Sequence, residues 1–560
     1  MKQSLPPRTE NISFTIGDSE WKRLRSKATN DLFWFNSVVL GFANHFSLLP
    51  ETHMVIHKFM QRKTGNREID LAPIQMLQWP RETGKSTCGT IGYAIWLACQ
   101  FPNTAILIAN EKEETAKDFI KSIRWHFESN ALLRALFPEV IPPDFNKVEW
   151  SATRATLKRT TGRPEATFDC TGVGGTKVGK HYDVIICDDL IAKEGMENAR
   201  RGSWTVVEET NRWVNQLEPM LSIAARDAMG PGFPFVRFIG TRWWMGDTYE
   251  HIENAFSLGD APVTYRIRVK DRKTGETYDR PVTMAGDLAT MKIAGVEDGT
   301  LTFPKIWPQE RLDKLRFIDP ELFACNIQNN PSDAAIRTFK DAWLKHWRQS
   351  KAGVISYKLD DGTDHHVNAR DLIRVAVTDP AFSSGAGGSR AAIVVVGTDM
   401  ETGKHLVLDV SAARKDPKDN LEDFLTMLQK WGVRRAYVEL AGQQLAYLQW
   451  LEQQASNRGI GCSIAAVKPG GRQKDERIEG LLVPFKNGDI YTHVSQSELI
   501  DDEYRHWRPG SRQADVLDAL AYAMELVPKP RTAAMDNPRN RSKKQLDSYF
   551  ARRGMSRIGR

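Results

Sequence analysis

The run Trp79-Pro80-Arg81-Glu82-Thr83-Gly84-Lys85-Ser86-Thr87 decides the fold of the first half of this chain. It follows a short apolar run, Ile74–Trp79, and precedes a stretch of helical character, Ser86–Gln100. A loop between a strand and a helix binds nucleotide phosphates when its backbone amides surround them, its lysine reaches the β and γ oxygens and its hydroxyl binds Mg²⁺. The run therefore indicates an ATP site.

Gly84, Lys85 and Ser86 fit the general phosphate-loop pattern, and together with the adjacent Thr87 they are the predicted ATP-binding residues of this loop. Ser86 is also a predicted Mg²⁺ ligand. Trp79 stands where the pattern has its first glycine. A chance Gly-Lys-Ser is therefore the alternative interpretation.

A second apolar run, Tyr182–Cys187, ends in two adjacent acids, Asp188 and Asp189. In phosphate-loop enzymes such a strand end supplies the acid that binds Mg²⁺ and the acid that acts on the attacking water. Asp188 is thus the predicted Mg²⁺ ligand, acting with Ser86 or through water. Asp189 is predicted to orient or deprotonate the water. The alternative is a pair of acids that only caps a strand.

Two further positions are candidates for contact with the γ-phosphate. The run Phe235–Gly240 ends in Thr241-Arg242, a pair placed to sense the γ-phosphate and transmit hydrolysis, with a plain strand-end turn as an equal alternative. Arg81 lies inside the loop, where a cation neutralises charge that builds on the γ-phosphate. Its alternative is a salt bridge with Glu82 or another acid.

Strand-like runs and helical stretches alternate from about residue 65 to 255, which predicts an α/β fold with a parallel sheet and flanking helices. We expect an aromatic-rich helical lead-in at 1–60 and a P-loop ATPase domain at 61–345. This domain includes a polar insertion or hairpin at about 258–305, and a linker with helices continues to about 365.

A second domain at 365–530 is predicted to have an RNase H-like nuclease fold. Three strands form a meander, and a helix, a further strand and a closing amphipathic helix follow; the runs are Leu372–Thr378, Ala391–Gly397, His405–Val410, about 418–431, Arg435–Leu440 and Asp515–Leu526. That order is typical of the RNase H-like architecture. The Gly/Ser-rich run Ser383–Gly388 is the predicted turn between the first two strands.

Acidic residues lie at the ends of two of these strands and at the start of the closing helix. Asp379 and Glu439 end the strands, and Asp515 and Asp518 share one face of the helix because they are three residues apart. Carboxylates that converge in this way bind two Mg²⁺ or Mn²⁺ ions, which hydrolyse a phosphodiester. Asp379, Glu439 and Asp515 are the predicted catalytic residues, and all four are predicted metal ligands.

Three other charged residues are weaker candidates. Asp409, at the end of a strand, is a possible fourth acid with the odds against it. Lys474 and Arg477 are candidates for contacts with the DNA backbone, although an ordinary charged helix face is an equal interpretation.

The composition bounds the class of protein. The chain has 560 residues, which is too long for one core, and a net charge of +7. Its six cysteines show no paired metal-ligand spacing, and we expect buried, reduced thiols. We find neither an apolar run that could span a bilayer nor a signal peptide. The basic segment 531–560 is a predicted disordered tail.

The motifs, taken in order, resemble those of the large terminase subunit of tailed bacteriophages, from about residue 65 to 527. The similarity includes Arg81–Ser86, Asp188-Asp189, Gly240–Arg242, Phe323–Pro331, Thr378–Pro380, Val438-Glu439, Lys474-x-x-Arg477-Ile478 and Asp515-x-x-Asp518-Ala519. Many members have two adjacent aspartates where this chain has Ala514-Asp515, so Asp515 and Asp518 both stay open as the third metal ligand. Many also have glutamate in place of Asp189.

The resemblance implies a DNA-packaging motor in the host cytoplasm. ATP hydrolysis would move double-stranded DNA into a procapsid, and the nuclease would cut concatemers to unit length. The implied partners are double-stranded DNA, the portal protein, a small terminase subunit and four further copies in a homo-pentamer, with no membrane. Two alternatives are a helicase- or repair-type ATPase with a fused nuclease, and a non-catalytic assembly subunit that bridges DNA to a protein shell.

Overall fold

The computed structural model describes residues 17–44, 48–175, 177, 179–191, 195, 204–331, 337–380, 390–414, 416–439, 445–467, 473–494, 497–511 and 514–528. The chain divides into two compact units, Met1–Ile336 and Arg337–Arg560. Each unit contains one nine-stranded sheet together with helices, so the predicted α/β fold class is confirmed. The predicted turn at Ser383–Gly388 and the predicted tail at 531–560 lie outside the described residues.

The first unit is built on a sheet whose centre is parallel. Its strands are β1 Ile74–Gln78, β2 Ile106–Asn110, β3 Arg154–Ala155, β4 Phe168–Gly172, β5 Val184–Asp188, β6 Phe235–Gly240, β7 Val263–Lys270, β8 Thr277–Ala285 and β9 Leu288–Lys292. The order is β3-β4-β2-β5-β6-β1-β9-β8-β7. Every residue of β1, β2 and β5 is buried, as expected for parallel strands covered on both faces. A separate two-stranded sheet pairs β10 Val296–Glu297 with β11 Thr300–Leu301.

Helices cover this sheet. The α-helices are Asp18–Asn30, Leu32–Trp34, Pro50–Met60, Arg67–Leu71, Tyr93–Gln100, Glu113–Ser129, Ala131–Leu136, Thr205–Val214, Ala225–Met229, Thr248–Phe256, Gln309–Ile318 and Pro320–Leu322. Wider π-helical turns are Phe35–Val39, Lys85–Gly92 and Phe323–Ile327. Short 3₁₀ turns are Phe42–Asn44, Pro138–Val140, Phe145–Lys147 and Glu218–Met220.

The segment of the predicted helical lead-in contains the helices Asp18–Asn30, Leu32–Trp34 and Pro50–Met60, and Leu32, Phe35 and Phe59 are fully buried in the same core as the phosphate-loop helix. The segment at 258–305 does form a hairpin, β7 with β8, but it is also part of the main sheet, since β9 pairs in parallel with β1. Alternate exposure of β7 and β8 hid this role in the sequence.

The second unit has a sheet whose centre follows the RNase H-like order. Its strands are β12 Lys345–Gln349, β13 Val354–Lys358, β14 Asp364–Asn368, β15 Ile373–Asp379, β16 Ala391–Thr398, β17 His405–Ala413, β18 Arg435–Glu439, β19 Ser463–Val467 and β20 Ile490–His493. The order is β14-β13-β12-β20-β17-β16-β15-β18-β19. The meander β15–β17 is antiparallel, and β18 and β19 are added in parallel at β15.

The helices of this unit lie on both faces of the sheet. They are Asp341–Trp343, which is a 3₁₀ turn, and the α-helices Pro417–Trp431, Leu445–Asn457, Lys474–Glu479, Leu482–Lys486, Ser497–His506 and Asp515–Leu526. Val375 and Val377 pack in one core with the closing helix Asp515–Leu526. Ala376 packs in the other core with the helix Pro417–Trp431.

The predicted linker before residue 365 is instead part of this second sheet. β12, β13 and β14 extend the sheet beyond β20, and β12 pairs with β20 in parallel. These strands bury alternate residues such as Trp347 and Ile355, and their other side chains are polar. Such short, half-polar strands have a weak apolar signal in the sequence.

Among the described residues, no helix is both long enough and apolar enough to cross a bilayer.

Candidate functional site

The phosphate loop of the first unit leaves β1 at its carboxyl end and enters the helical segment that begins at Lys85. Trp79 is fully buried, and its backbone N–H donates to Gly240 O at 3.3 Å. Glu82 and Gly84 adopt left-handed φ angles of 65° and 87°. The loop thus makes a tight turn toward the amino end of a helix, where backbone amides lack helical partners.

The paired acids at the end of β5 meet this loop. Asp188 accepts hydrogen bonds from Ser86 Oγ at 3.1 Å and from Thr90 Oγ1 at 2.6 Å. Lys85 Nζ lies 2.7 Å from Asp189 Oδ2. Lys85, Ser86, Asp188 and Asp189 therefore converge, as their predicted roles require. Thr90, one turn after Ser86, was missed by the sequence reasoning, although its spacing of four on a helix is a usable signal.

The environment of Asp188 suits a cation. Its side chain is fully buried, and this burial, together with the charge of Asp189, raises the pKa of Asp188 to about 6 even though Lys85 acts in the opposite sense. Carboxylate and hydroxyl oxygens are the ligands that Mg²⁺ prefers. Asp188 and Ser86 thus fit a magnesium ion.

Asp189 is held in an uncommon backbone conformation. Its φ is 44°, and its N–H donates to Ile239 O at 2.9 Å while its own carbonyl accepts from Glu111 N at 3.2 Å. Asn110 Nδ2 also donates to the carbonyl of Asp188 at 2.6 Å. Left-handed non-glycine residues persist where the surroundings determine them. Asp189 Oδ1 is buried and accepts no hydrogen bond from the described residues.

The structure separates the two residues of the predicted sensor pair. Thr241 is buried directly after β6. Arg242 is buried among its own acids: Nε lies 3.0 Å from Asp247, and Nη2 lies 2.8 Å from Glu250. Burial alone would lower the pKa of Arg242, but these acids and Glu253 raise it above its ordinary value. Contrary to the sensor prediction, the Arg242 guanidinium is already neutralised within the strand-end turn.

Arg81 stays available on the loop. It is exposed, and its guanidinium lies 5.1 Å from the centre of the Trp243 ring. The expected alternative, a salt bridge with Glu82, is absent among the described residues, because Glu82 pairs with Arg311 at 2.7 Å. The backbone of Arg81 is fixed from both sides, since its carbonyl accepts from Trp307 Nε1 at 2.9 Å and its N–H donates to Asn326 O at 3.3 Å.

The acids of the second unit also come together. β15 and β18 are parallel neighbours with Thr378 opposite Val438, so Asp379 and Glu439 follow side by side at the carboxyl edge. The closing helix packs on β15 and β16 and brings Asp515 and Asp518 to the same place. Burial and the charges of Glu439, Asp518 and Asp515 raise the pKa of Asp379 to about 7, although Lys474 opposes this effect.

Two cations already hold the acids of the closing helix. Lys474 Nζ donates to Asp515 Oδ1 at 2.7 Å, and Arg477 donates to both oxygens of Asp518 at 2.8 Å. Both candidate DNA-contact residues thus pair with acids of the cluster, and contact of Lys474 and Arg477 with the DNA backbone stays a prediction. Tyr522 donates to Glu439 Oε1 at 2.8 Å.

The cluster fits divalent metal ions by its donor chemistry. As the side chains stand, no three carboxylate, imidazole or thiol groups in the described part of the chain are arranged to hold an ion. Burial first, and then the charges of the neighbouring acids, raise the pKa of Asp379, and a bound cation would offset both effects. Burial also raises the pKa of Glu439. Carboxylate-only sites suit Mg²⁺ and Mn²⁺, and Asp515 and Asp518 both stay open as the third ligand.

A fifth acid, Glu503, was missed by the sequence reasoning. It is 4% exposed and accepts from the backbone amides of Val516 at 2.9 Å and Leu517 at 3.0 Å, at the start of the closing helix. Arg390 forms an ion pair with Glu503 and also donates its backbone N–H to Asp515 at 3.2 Å. Burial raises the pKa of Glu503 to about 7. Nothing local in a run of charged helix residues distinguishes it.

Asp409 does not join the cluster. It accepts from Lys430 Nζ at 2.7 Å and from Trp431 Nε1 at 2.8 Å. Both donors end the helix Pro417–Trp431, which packs on the face of the sheet opposite the closing helix. The weak prediction of Asp409 as a fourth metal ligand is wrong, because a β-bulge at Leu408 interrupts the alternation of β17 and directs Asp409 to the other face.

Solved structures that match this chain are large terminases. The large terminase of a thermophilic bacteriophage is 11% identical, and the match covers 86% of this chain and 99% of that one with a TM-score of 0.30. The HK97 bacteriophage large terminase is 11% identical over 77% of this chain and 85% of that one, with a TM-score of 0.31.

A third match is to a single domain. The human cytomegalovirus terminase nuclease domain, soaked with Mn and inhibitor bound, is 15% identical over 28% of this chain and 85% of that one, with a TM-score of 0.23. No protein-family model matches the sequence, and neither does any curated protein. Values this low carry no argument about the chemistry of this chain.

Proposed function

We propose that this chain is an ATP-driven DNA-packaging motor with a two-metal endonuclease, as in a large terminase subunit. One observation carries the proposal: two separate acid-and-cation sites occur in one chain, one on a phosphate loop and one on an RNase H-like sheet. Lys85 meets Asp189 at 2.7 Å in the first unit. The carboxylates of Glu439, Asp515 and Asp518 gather around Asp379 in the second.

In the first unit the residues divide the work of ATP hydrolysis. Lys85 binds the β and γ oxygens, and the amides at the start of the helix surround the phosphates. Ser86 and Asp188 would hold Mg²⁺, which when bound neutralises phosphate charge. Asp189 accepts the proton of the attacking water through Oδ1, which has no other hydrogen bond from the described residues. Arg81, exposed on the loop, is in place to stabilise charge on the γ-phosphate.

In the second unit Asp379 and Glu439, with Asp515 or Asp518, would hold two Mg²⁺ or Mn²⁺ ions, which activate water and stabilise the leaving oxygen. Lys474 and Arg477 balance the charge of the closing-helix acids. Tyr522 orients Glu439 by a hydrogen bond at 2.8 Å. Phosphate contacts carry no base information, so cutting by this site alone is expected to be nonspecific in sequence.

The assembly follows from the resemblance alone. We propose that the active form is a homo-pentamer on the portal protein at the procapsid vertex, in the host cytoplasm. A small terminase subunit would choose where packaging starts. Double-stranded DNA is the substrate of both activities.

The division of labour is tested with two variants of the full chain. Lys85→Ala is expected to abolish ATP hydrolysis and to leave Mn²⁺-dependent plasmid cleavage intact, because Lys85 belongs to the site of the first unit and the acidic cluster lies in the second. Asp379→Ala is expected to do the reverse. If either variant, still folded by circular dichroism, lost both activities, the two sites would not be separate. DNA unwinding in a strand-displacement assay would favour a helicase, and failure to bind Mg-ATP would favour an assembly subunit.

A further inference from the structure

Three completely buried polar side chains, His53, His57 and Asn36, form a brace that supports the phosphate loop from the core side. His53 and His57 lie one turn apart on the helix Pro50–Met60, and both are 0% exposed, as is Asn36. The sequence analysis did not single out any of them. Buried polar side chains are retained where each finds a hydrogen-bond partner. Here His53 bonds to Thr83 in the loop, Asn36 bonds to Cys88 after it, and His57 links the two.

His53 contacts the loop itself. Its Nδ1 lies 2.9 Å from the backbone N of Leu49, which is a donor, and 3.2 Å from Leu49 O. Its Nε2 faces Thr83 O, which can only accept, so the neutral tautomer that satisfies both ring nitrogens has its proton on Nε2. Nε2–H then donates to Thr83 O at 3.1 Å. Because C=O and N–H point in opposite directions across a trans peptide, a Thr83 carbonyl held toward His53 turns the N–H of Gly84 away from the core. The Gly84 amide donates to no described residue.

His57 and Asn36 hold the helix that follows. His57 Nδ1–H donates to His53 O at 2.6 Å, and Nε2 accepts from Asn36 Nδ2 at 2.9 Å. The same Asn36 amide donates to Cys88 O at 3.2 Å, in the first turns after the loop. A Cβ on Gly92 would come within 2.2 Å of Asn36 Oδ1, so only glycine leaves room for this side chain. Burial lowers the pKa of both imidazoles, that of His57 to about 3.

The brace compensates for the tryptophan that replaces the first glycine of the loop. The Trp79 ring is buried and lies edge-on to His53 with centroids 6.2 Å apart, and His53 makes a similar contact with Phe303 at 5.5 Å. The loop also contains Glu82 at a φ of 65°, which costs free energy in a residue other than glycine. Contacts from outside the loop must therefore determine its shape.

We propose that His53, as a neutral Nε2–H tautomer supported by His57 and Asn36, is a positioning residue that directs the Gly84 amide toward the nucleotide phosphates. This inference rests on the proposed ATPase function of the same loop. His53 touches neither phosphate nor water, so it acts through the backbone. A change at His53 is therefore expected to weaken phosphate binding, and to leave the chemical step of ATP hydrolysis and the site of the second unit unchanged.

The test compares His53→Met with His53→Gln in the full chain. Methionine and glutamine are similar in length, and both lose the acceptor for Leu49, but only glutamine keeps a donor that reaches Thr83. His53→Met is expected to weaken Mg-ADP binding and to raise the KM for ATP by roughly tenfold, the loss expected for one hydrogen bond to a charged group. His53→Gln is expected to stay close to wild type. Plasmid cleavage with Mn²⁺ is expected to be unchanged in both.

Equal nucleotide affinity in the two variants would overturn the inference, and so would a joint loss of nucleotide binding and plasmid cleavage, which marks general unfolding. If His53→Met does not fold, ¹⁵N-histidine NMR of the wild type decides the matter. The brace requires a neutral Nε2–H tautomer at pH 7, and a protonated ring or an Nδ1–H tautomer would refute it. A wild type with that tautomer that fails to bind Mg-ATP would instead refute the proposed function.

Discussion

The Lys85 ammonium and the Asp189 carboxylate form an ion pair at 2.7 Å, with the lysine side chain 9% exposed and the aspartate side chain 32% exposed. A phosphate-loop lysine has to reach the β and γ oxygens of ATP. In the proposed function, binding of ATP would exchange this internal partner for phosphate and release Asp189 Oδ2. The same exchange would bring the ammonium of Lys85 against the phosphate oxygens. It would also free the Asp189 carboxylate, which is the proposed acceptor of the proton from water.

Replacing Asp189 with Asn is expected to separate binding from hydrolysis. Asparagine keeps the size of the side chain but cannot accept the proton of the attacking water, so kcat should fall by about 10²–10⁴-fold. Binding of Mg-ATP should be retained or strengthened, because Lys85 loses a competing anion. Steady-state ATPase rates and fluorescent-nucleotide titration measure the two effects. Asp189→Glu is the control that restores a base, and an Asp189→Asn variant with normal kcat would contradict the role.

Thr90 is expected to stabilise the folded chain and also to hold Asp188, the proposed magnesium ligand, in position. Its hydroxyl donates to the fully buried Asp188 at 2.6 Å. Thr90→Val preserves the shape but leaves that carboxylate with one donor fewer, at a cost of about 1–3 kcal/mol in the free energy of unfolding. Thr90→Ser keeps the donor and is the matched control. Urea unfolding of both variants checks the prediction, which is wrong if valine and serine behave alike.

Metal binding at the second site is expected to depend on pH through Asp379. Its pKa of about 7 lies above the ordinary value of 3.8 because the site is buried and surrounded by other acids. A metal ion must displace the proton below pH 7, so the apparent Mn²⁺ affinity should rise by about tenfold per pH unit up to pH 7 and then level off. Calorimetry in buffers of different ionisation enthalpy measures the released proton, and Asp379→Asn should remove this dependence.

The same pKa shift has a consequence for stability in the presence of EDTA. A carboxyl whose folded pKa is raised contributes stability at pH values below its unfolded pKa, and that contribution is lost as the pH rises through the folded value. Asp379→Asn is therefore expected to raise the melting temperature at pH 8 and to leave it unchanged at pH 4. Equal shifts at both pH values would show that the charge of Asp379 is not destabilising.

Glu503 is expected to hold the closing helix in place. Glu503→Ala removes the acceptor for the Val516 and Leu517 amides and the ion-pair partner of Arg390. Loss of a buried charged partner typically costs about 3–5 kcal/mol. Asp502→Ala, at an exposed neighbour whose side chain is 67% exposed, is the matched control. Urea unfolding and Mn²⁺-dependent cleavage should both be impaired in the first variant and normal in the second.

Local sequence determined much of the fold of this protein. β6 spans Phe235–Gly240 and the closing helix spans Asp515–Leu526 as predicted, because fully buried apolar runs and strongly periodic helices have clear patterns. The phosphate loop and the acids at the ends of β5, β15 and β18 were also predictable. In a sheet whose strands alternate with helices, binding sites lie at the carboxyl ends of the strands, so the positions of these side chains follow from the order of strands and helices.

Only the tertiary structure decided the partners of these residues. The β-bulge at Leu408 turns Asp409 toward Lys430 and away from the acidic cluster, and Arg242 is neutralised by nearby acids such as Asp247. The brace from His53 to Thr83, 30 residues apart, and the contact of Glu503 with Asp515's helix depend on packing between distant segments. The physical reason is that the role of a buried polar group depends on the group with which it forms a hydrogen bond or an ion pair. The sequence determines which groups can donate or accept a hydrogen bond, but the packing of the fold determines which donors and acceptors lie close enough to form one.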